Sequence, residues 1–169
     1  TPVGCFLSAN PSLARILGFN SAEELFDHFQ DIGKQHYLNP EDRETFRRIM
    51  ETDGETSDFE VQLRKRDGSR IWASIKARAI MDETGKIHHF EGLLEDITER
   101  KDAEKALRES EERYRTILNE MSEGYHEVDL AGNFTFFNEA FLNLFGYSSD
   151  EMMGTNFSRY AADEAIAKR

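Results

Sequence analysis

The chain has 169 residues, a formal net charge of −12, 38% hydrophobic residues, 13 Phe and a single cysteine, Cys5. That length admits one medium domain or two small ones, and the apolar content supports a packed core rather than a disordered tail. The acidic balance argues against nucleic acid as a partner, no apolar run is long enough for membrane contact, and a lone cysteine rules out an internal disulfide; together these point to a reducing, cytoplasmic setting.

The first segment, GCFLSANPSLARILGFNSAEEL (4–25), opens with a turn glycine and a predicted short strand. Asn10 stands where an N-cap belongs, because its side-chain oxygen can accept from the free N–H groups of a first helical turn. Pro11 follows at the first helical position, where a missing donor costs nothing. The predicted helix stops at Gly18, and Ser21 starts a second short helix with Glu24 near its positive end.

Three strands are predicted between residues 58 and 97. Phe59, Val61 and Leu63 alternate with polar neighbours, and Asp67-Gly68 is a hairpin turn. Ile71, Ala73, Ile75, Ala77 and Ala79 share one face of the second strand; Trp72, Ser74, Lys76 and Arg78 share the other. A turn at Thr84-Gly85-Lys86 leads to a third strand over 87–97. The result is an antiparallel meander with one packed face and one wetter face.

The run DITERKDAEKALRESEERYRTILNEM (96–121) predicts one unbroken helix, with Asp96 and Glu99 as a capping pair. Ala103, Leu107, Ser110, Tyr114, Ile117 and Met121 recur at 4-3-4-3-4 spacing, a heptad seam that keeps one stripe toward a partner helix. Glu104 with Arg108 and Glu109 with Arg113 are expected as supporting ion pairs. A further strand is predicted over 124–130. Then GNFTFFNEAFLNLFGYSSDEMM (132–153) repeats segment 4–25 without a gap: Gly4, Phe6, Asn10, Gly18, Ser21 and Glu23 meet Gly132, Phe134, Asn138, Gly146, Ser149 and Glu151.

The segments NPSLARILGF, NEAFLNLFGY, NPEDRETF (39–46), RKRDGSRIWASIKA and FEGLLEDITERK together resemble tandem PAS domains over essentially the whole chain. The resemblance implies an α+β fold: an antiparallel sheet of strand order 2-1-5-4-3 with helices on one face, here as two incomplete copies joined by a long helix. Residues 1–97 are the first domain without its first strand, 98–121 the connecting helix, and 122–169 the N-terminal half of the second domain, as in a fragment cut inside a domain at each end. The third strand of the meander then has an open edge, and strand 124–130 of the same or a neighbouring chain is a candidate to fill it.

Such modules sense ligands, redox state or light, or dimerise. The expected role is a sensory and dimerising module of a bacterial signalling protein, foremost a sensor histidine kinase, with a diguanylate cyclase or transcriptional regulator as the alternative. The connecting helix would relay the signal, with Asp96, Thr98, Leu107 and Tyr114 as relay residues. The expected partners are a second copy, through that helix and the domains, and a downstream output domain. Ile16, Leu17, Phe46, Ile75 and Leu94 are candidates to line a ligand pocket, although ordinary core explains them equally well. Trp72, Ile80 and Phe90 are the candidate apolar patch for a partner or for the connecting helix.

No catalytic constellation stands out: there is no phosphate-binding glycine loop and no HExxH. His126-Glu127 lies in an alternating stretch and reads as strand. His88 and His89, as neighbours on a strand, should point to opposite faces, so no metal site is expected. His28 and His36 lie eight residues apart with no ligand cluster nearby, which disfavours haem. Cys5 precedes a strand instead of sitting in the helix motif of light-sensing relatives, which disfavours flavin. No cofactor is therefore evident.

Overall fold

The structure is a computed structural model that describes residues 1–159 other than Val3; residues 160–169, the end of the predicted second domain, lie outside the described residues. The chain divides into two units, Thr1–Glu104 and Lys105–Arg169.

The first unit opens with four helices: α1 (Pro11–Ile16), α2 (Ala22–His28), α3 (Ile32–Gln35) and α4 (Pro40–Thr52). Each start is set by its cap. Asn10, Ser21, Asp31 and Asn39 all hold extended backbone, and their side chains accept from the first-turn N–H groups, with Pro11 and Pro40 beginning α1 and α4. Three antiparallel strands follow in the order β1 (Glu55–Arg64), β2 (Arg70–Met81) and β3 (Ile87–Asp96).

The alternation read from the sequence sets the faces. Val61, Leu63, Ile71 and Ala73 are buried against Ala14, Leu17, Phe19, Leu25 and Phe29. At the other end of the sheet, Phe46 and Met50 of α4 bury against Ala77. Each such large side chain contributes about 1.5–3 kcal/mol by leaving water.

One predicted strand is missing. Residues 6–9 form no strand, although the equivalent stretch of the second unit does. A strand exists only by pairing. In the second unit the stretch pairs with a preceding strand, whereas in the first it runs along β3 with a cleft between them. β3 is accordingly an edge of its sheet.

The helix α5 (Thr98–Glu120) is unbroken, as its composition predicts. Its ion pairs run in the opposite sense to the expected one: Arg100 with Glu104, Lys105 with Glu109 and Arg108 with Glu112, rather than Glu104 with Arg108 or Glu109 with Arg113. Glu104 is drawn toward Arg100 and Lys101, both held in turn by Glu60 of β1.

In the second unit, β4 (His126–Val128) pairs antiparallel with β5 (Phe134–Phe137), followed by α6 (Glu139–Phe145) and α7 (Ser149–Met152). Strand 124–130, proposed from sequence as a filler for the open edge, is thus paired inside its own copy. Phe134, Phe137, Phe141 and Met152 form the core. α6 ends at Gly146, whose φ of +75° gives the left-handed cap that a side chain would strain. α7 starts one residue earlier than predicted. Ser148, not Ser149, is its N-cap, because Glu151 reaches back to both the backbone N–H and the Oγ of Ser148, at 2.9 and 2.7 Å.

Candidate functional site

A cleft of about 520 Å³ lies between the N-terminal segment 5–13, α4 and the inner faces of β2 and β3. Of the predicted lining residues, Ile16, Phe46, Ile75 and Leu94 reach it. Leu17 does not; it is fully buried in the core, because a helix turns about 100° per residue and cannot aim both Ile16 and Leu17 at one cleft. Gly92 helps keep the cleft open. It faces Ala77 across the sheet, and a Cβ there would sit 2.9 Å from the Lys76 carbonyl oxygen.

Two polar side chains outside the expected lining, Arg43 and His36, stand at the cleft. Arg43 of α4 is only 8% exposed, with its guanidinium carbon 5.7 Å from the ring centres of Tyr37 and Phe46 and 6.0 Å from that of Phe90. The signal was present: Arg43, Phe46 and Met50 are spaced as one helix face. His36 is 4% exposed, packed against Phe29, and its Nδ1 lies 3.2 Å from the Arg64 carbonyl oxygen. Burial lowers the His36 pKa to about 4, so the ring is neutral at physiological pH.

Phe90 does not share a face with Trp72 and Ile80. It packs against Phe46 at 5.6 Å in a T-shaped contact, on the side of Ala77. Residues 90, 92 and 94 alternate together, so Phe90 follows Leu94 inward. The exposed apolar residue on the outer side of β3 is Leu93, opposite Lys76 and 71% exposed.

Trp72 meets the connecting helix. Lys101 of α5 lies over its ring at 5.5 Å, and the backbone of Trp72 is tied to the helix start at two points. Its N–H donates to Thr98 Oγ1 at 3.0 Å, and its carbonyl accepts from the Ile97 N–H at 2.9 Å. Asp96 accepts from both the N–H and the Oγ of Thr98, at 2.9 and 2.6 Å. The expected Asp96–Glu99 capping pair is therefore replaced by an Asp96–Thr98 pair that fixes the hydroxyl for Trp72. Further along, Leu107 is 62% exposed, and Tyr114 and Ile117 are about half exposed, as a seam without a partner would be.

At the far end of α5, Asn138 is fully buried and makes four hydrogen bonds. Its Oδ1 accepts from the N–H groups of Tyr125 and Phe141 at 2.8 and 2.9 Å; its Nδ2 donates to the carbonyls of Leu118 and Glu123 at 2.7 and 2.9 Å. That is the full capacity of a side-chain amide, two bonds accepted and two donated. The side chain caps α6, anchors β4 and satisfies a carbonyl in the last turn of α5. Asn10, its counterpart in the repeat, makes the cap bond to the Leu13 N–H at 2.8 Å.

The histidines behave differently from the alternation argument. A register shift after Ile80 leaves His88 in a bulge, and His88 Nδ1 lies 2.8 Å from His89 Nδ1. Two neighbours thus meet, but among the described residues no group of three or more His, Cys, Asp or Glu could hold a metal ion. Cys5 is exposed, with Sγ 3.4 Å from the Gln30 carbonyl oxygen and no helix around it, so it does not match the cysteine of a flavin-adduct helix. His126 and Glu127 lie in β4, as read. No helix among the described residues is long and apolar enough to cross a membrane.

Comparison with known proteins agrees with this architecture. Residues 1–99 and 112–168 each match a family model described as a PAS domain. The chain is 36% identical over 125 residues to the sensor protein FixL of Bradyrhizobium diazoefficiens, covering 70% of this chain and 24% of that protein. It is 26% identical over 118 residues to the probable diguanylate cyclase DgcE of Escherichia coli, covering 68% of this chain and 11% of that one. A sensory box histidine kinase/response regulator structure from Burkholderia thailandensis superposes with a TM-score of 0.50 at 27% identity, over 63% of this chain and 79% of that one. The chain thus spans a quarter or less of the length of these curated relatives. With two copies of the same capped helix-and-sheet pattern, and a family model matched by each, the chain belongs to the PAS domain family.

Proposed function

We propose that this chain is the sensory and dimerising part of a signalling protein, in which a change at the cleft of the first copy passes through α5 to the second. The observation that carries the reading is that α5 is hydrogen-bonded at both ends, through the Thr98 hydroxyl to the Trp72 N–H and through the Leu118 carbonyl to the Asn138 side chain, while Leu107 and Ile117 along it present apolar surface to solvent. A helix held this way conducts a rotation or shift in place of absorbing it. The stripe of Leu107, Tyr114 and Ile117 supplies the surface for a second copy, and a seam this thin can hold two registers of similar energy, which is what a switch needs.

The parent is read as a sensor histidine kinase, because a sensor protein and a sensory box histidine kinase are among the relatives; a diguanylate cyclase is the alternative that the Escherichia coli relative supports. The chain is placed in the cytoplasm with a downstream output domain as partner.

Sedimentation equilibrium of the chain tests the dimer. We expect a monomer–dimer equilibrium that the double change Leu107→Asp and Ile117→Asp moves to monomer. A strictly monomeric wild-type chain at high micromolar concentration would refute the role of the stripe.

A further inference from the structure

We propose that the cleft of the first copy takes a small carboxylate with an apolar body, its head on Arg43 and its chain along Phe46, Phe90, Ile75 and Leu94. The inference rests on the reading of this cleft as the sensing site and adds the class of ligand.

Arg43 carries the argument. A buried guanidinium is costly unless an anion pairs with it. The described residues bury two side chains able to carry positive charge, His36 and Arg43, and His36 is neutral. Among the described residues, every ion pair is made by other cations, and no carboxylate lies within pairing distance of Arg43. The one carboxylate among the described residues lining the cleft, Glu91, is taken by Arg78 at 2.7 Å.

What Arg43 has is uncharged. Its Nη2 donates to the Thr1 carbonyl at 3.3 Å, it interacts with the Tyr37 hydroxyl, and three aromatic rings face it. A guanidinium offers five donors in a planar fork, so most of its capacity is unspent. The fork matches a carboxylate in two parallel bonds, and the low-dielectric walls strengthen that pairing relative to water.

The walls decide the rest of the ligand. Phe46 and Phe90 touch the guanidinium and also line the cleft, and Ile75 and Leu94 continue the apolar surface beyond them. The cleft, of about 520 Å³, has ample room for a chain of about six to ten carbons laid along these walls. In a chain with a net charge of −12, Arg43 gives an anionic ligand a cationic anchor inside the cleft.

Calorimetric titration of the whole chain at neutral pH with octanoate and with its uncharged isostere octanamide tests this. Octanoate is expected to bind at least tenfold more tightly. Arg43→Gln should bring octanoate down to the level of the amide and leave the amide unchanged, while Arg43→Lys, which keeps the charge and loses the fork, should fall between. Should Arg43→Gln fail to fold, the Arg43 Nε–H resonance of the wild-type chain gives the same answer, moving with octanoate and not with octanamide. Equal binding of acid and amide would overturn the carboxylate class and leave the sensing cleft standing. Binding of neither would overturn both.

Discussion

Asn10 and Asn138 occupy the same place in the repeat, yet their removal should cost very different amounts. Asn10→Ala loses an exposed cap, worth about 1 kcal/mol. Asn138→Ala loses the same cap and leaves three further groups, one buried and two partly buried, without their partner: the Leu118 carbonyl, and the Tyr125 N–H and Glu123 carbonyl. At about 1 kcal/mol for each stranded group, the low end of the range, the total is about 4 kcal/mol. The difference of about 3 kcal/mol is about two powers of ten in the local folded-to-open ratio. Native-state amide hydrogen exchange checks it. The Tyr125 and Phe141 amides should lose about a thousandfold of their protection in Asn138→Ala, and the Leu13 amide about tenfold or less in Asn10→Ala. Asn138→Asp should do no better than Asn138→Ala, because a carboxylate would face two carbonyl oxygens. Comparable losses from the two alanine substitutions would refute the reasoning that four bonds, rather than the cap, set the value of Asn138.

Thr98→Val removes the acceptor for the Trp72 N–H and should cost about 1–2 kcal/mol, while Thr98→Ser should be near neutral; urea unfolding followed by the fluorescence of Trp72 reports both. His36, whose folded pKa is about 4 against 6.5 for the free group, is neutral when folded. The unfolded chain therefore takes up a proton first as pH falls, so stability declines from about pH 6.5 to about pH 4, by about 3 kcal/mol in all; His36→Gln should flatten that part of the profile. Glu60 has its pKa lowered by hydrogen bonds from Lys101 and Arg100, so its contribution is present above the ordinary carboxylate range and lost as pH falls through the lowered folded value. Glu60→Gln should remove that acid-limb dependence in the helix-start amides. Gly92→Ala drives a Cβ against the Lys76 carbonyl and should destabilise the sheet by about 1–3 kcal/mol, read as a lowered Tm.

Local chemistry was readable from the chain itself. Asn10, Ser21 and Asn138 cap helices where their spacing placed them, and the period-two pattern of 71–79 set the faces of β2. What failed depended on partners distant in sequence. The stretch 6–9 has strand character but nothing to pair with, and pairing, not propensity, makes a strand. The bulge at His88 exists only relative to the register of β2, so the alternation rule put the two histidines on opposite faces when their rings meet. Arg43 sits in the polar run NPEDRETF, where composition suggests solvent and only its spacing from Phe46 and Met50 shows the buried face. Phe90 was misplaced despite a legible pattern, since Leu94, two pleats away, already pointed inward.

The rim formed by β3 has a bearing on solubility. Unpaired strand borders recruit other chains, and proteins commonly blunt them with charge and with kinks. Glu91 and Glu95 are exposed along this rim, and the bulge at His88 bends its first half. Stray peptides thus meet electrostatic and steric discouragement along most of its length. Leu93 is the breach in that guard, a greasy spot from which fibril-like stacking would begin.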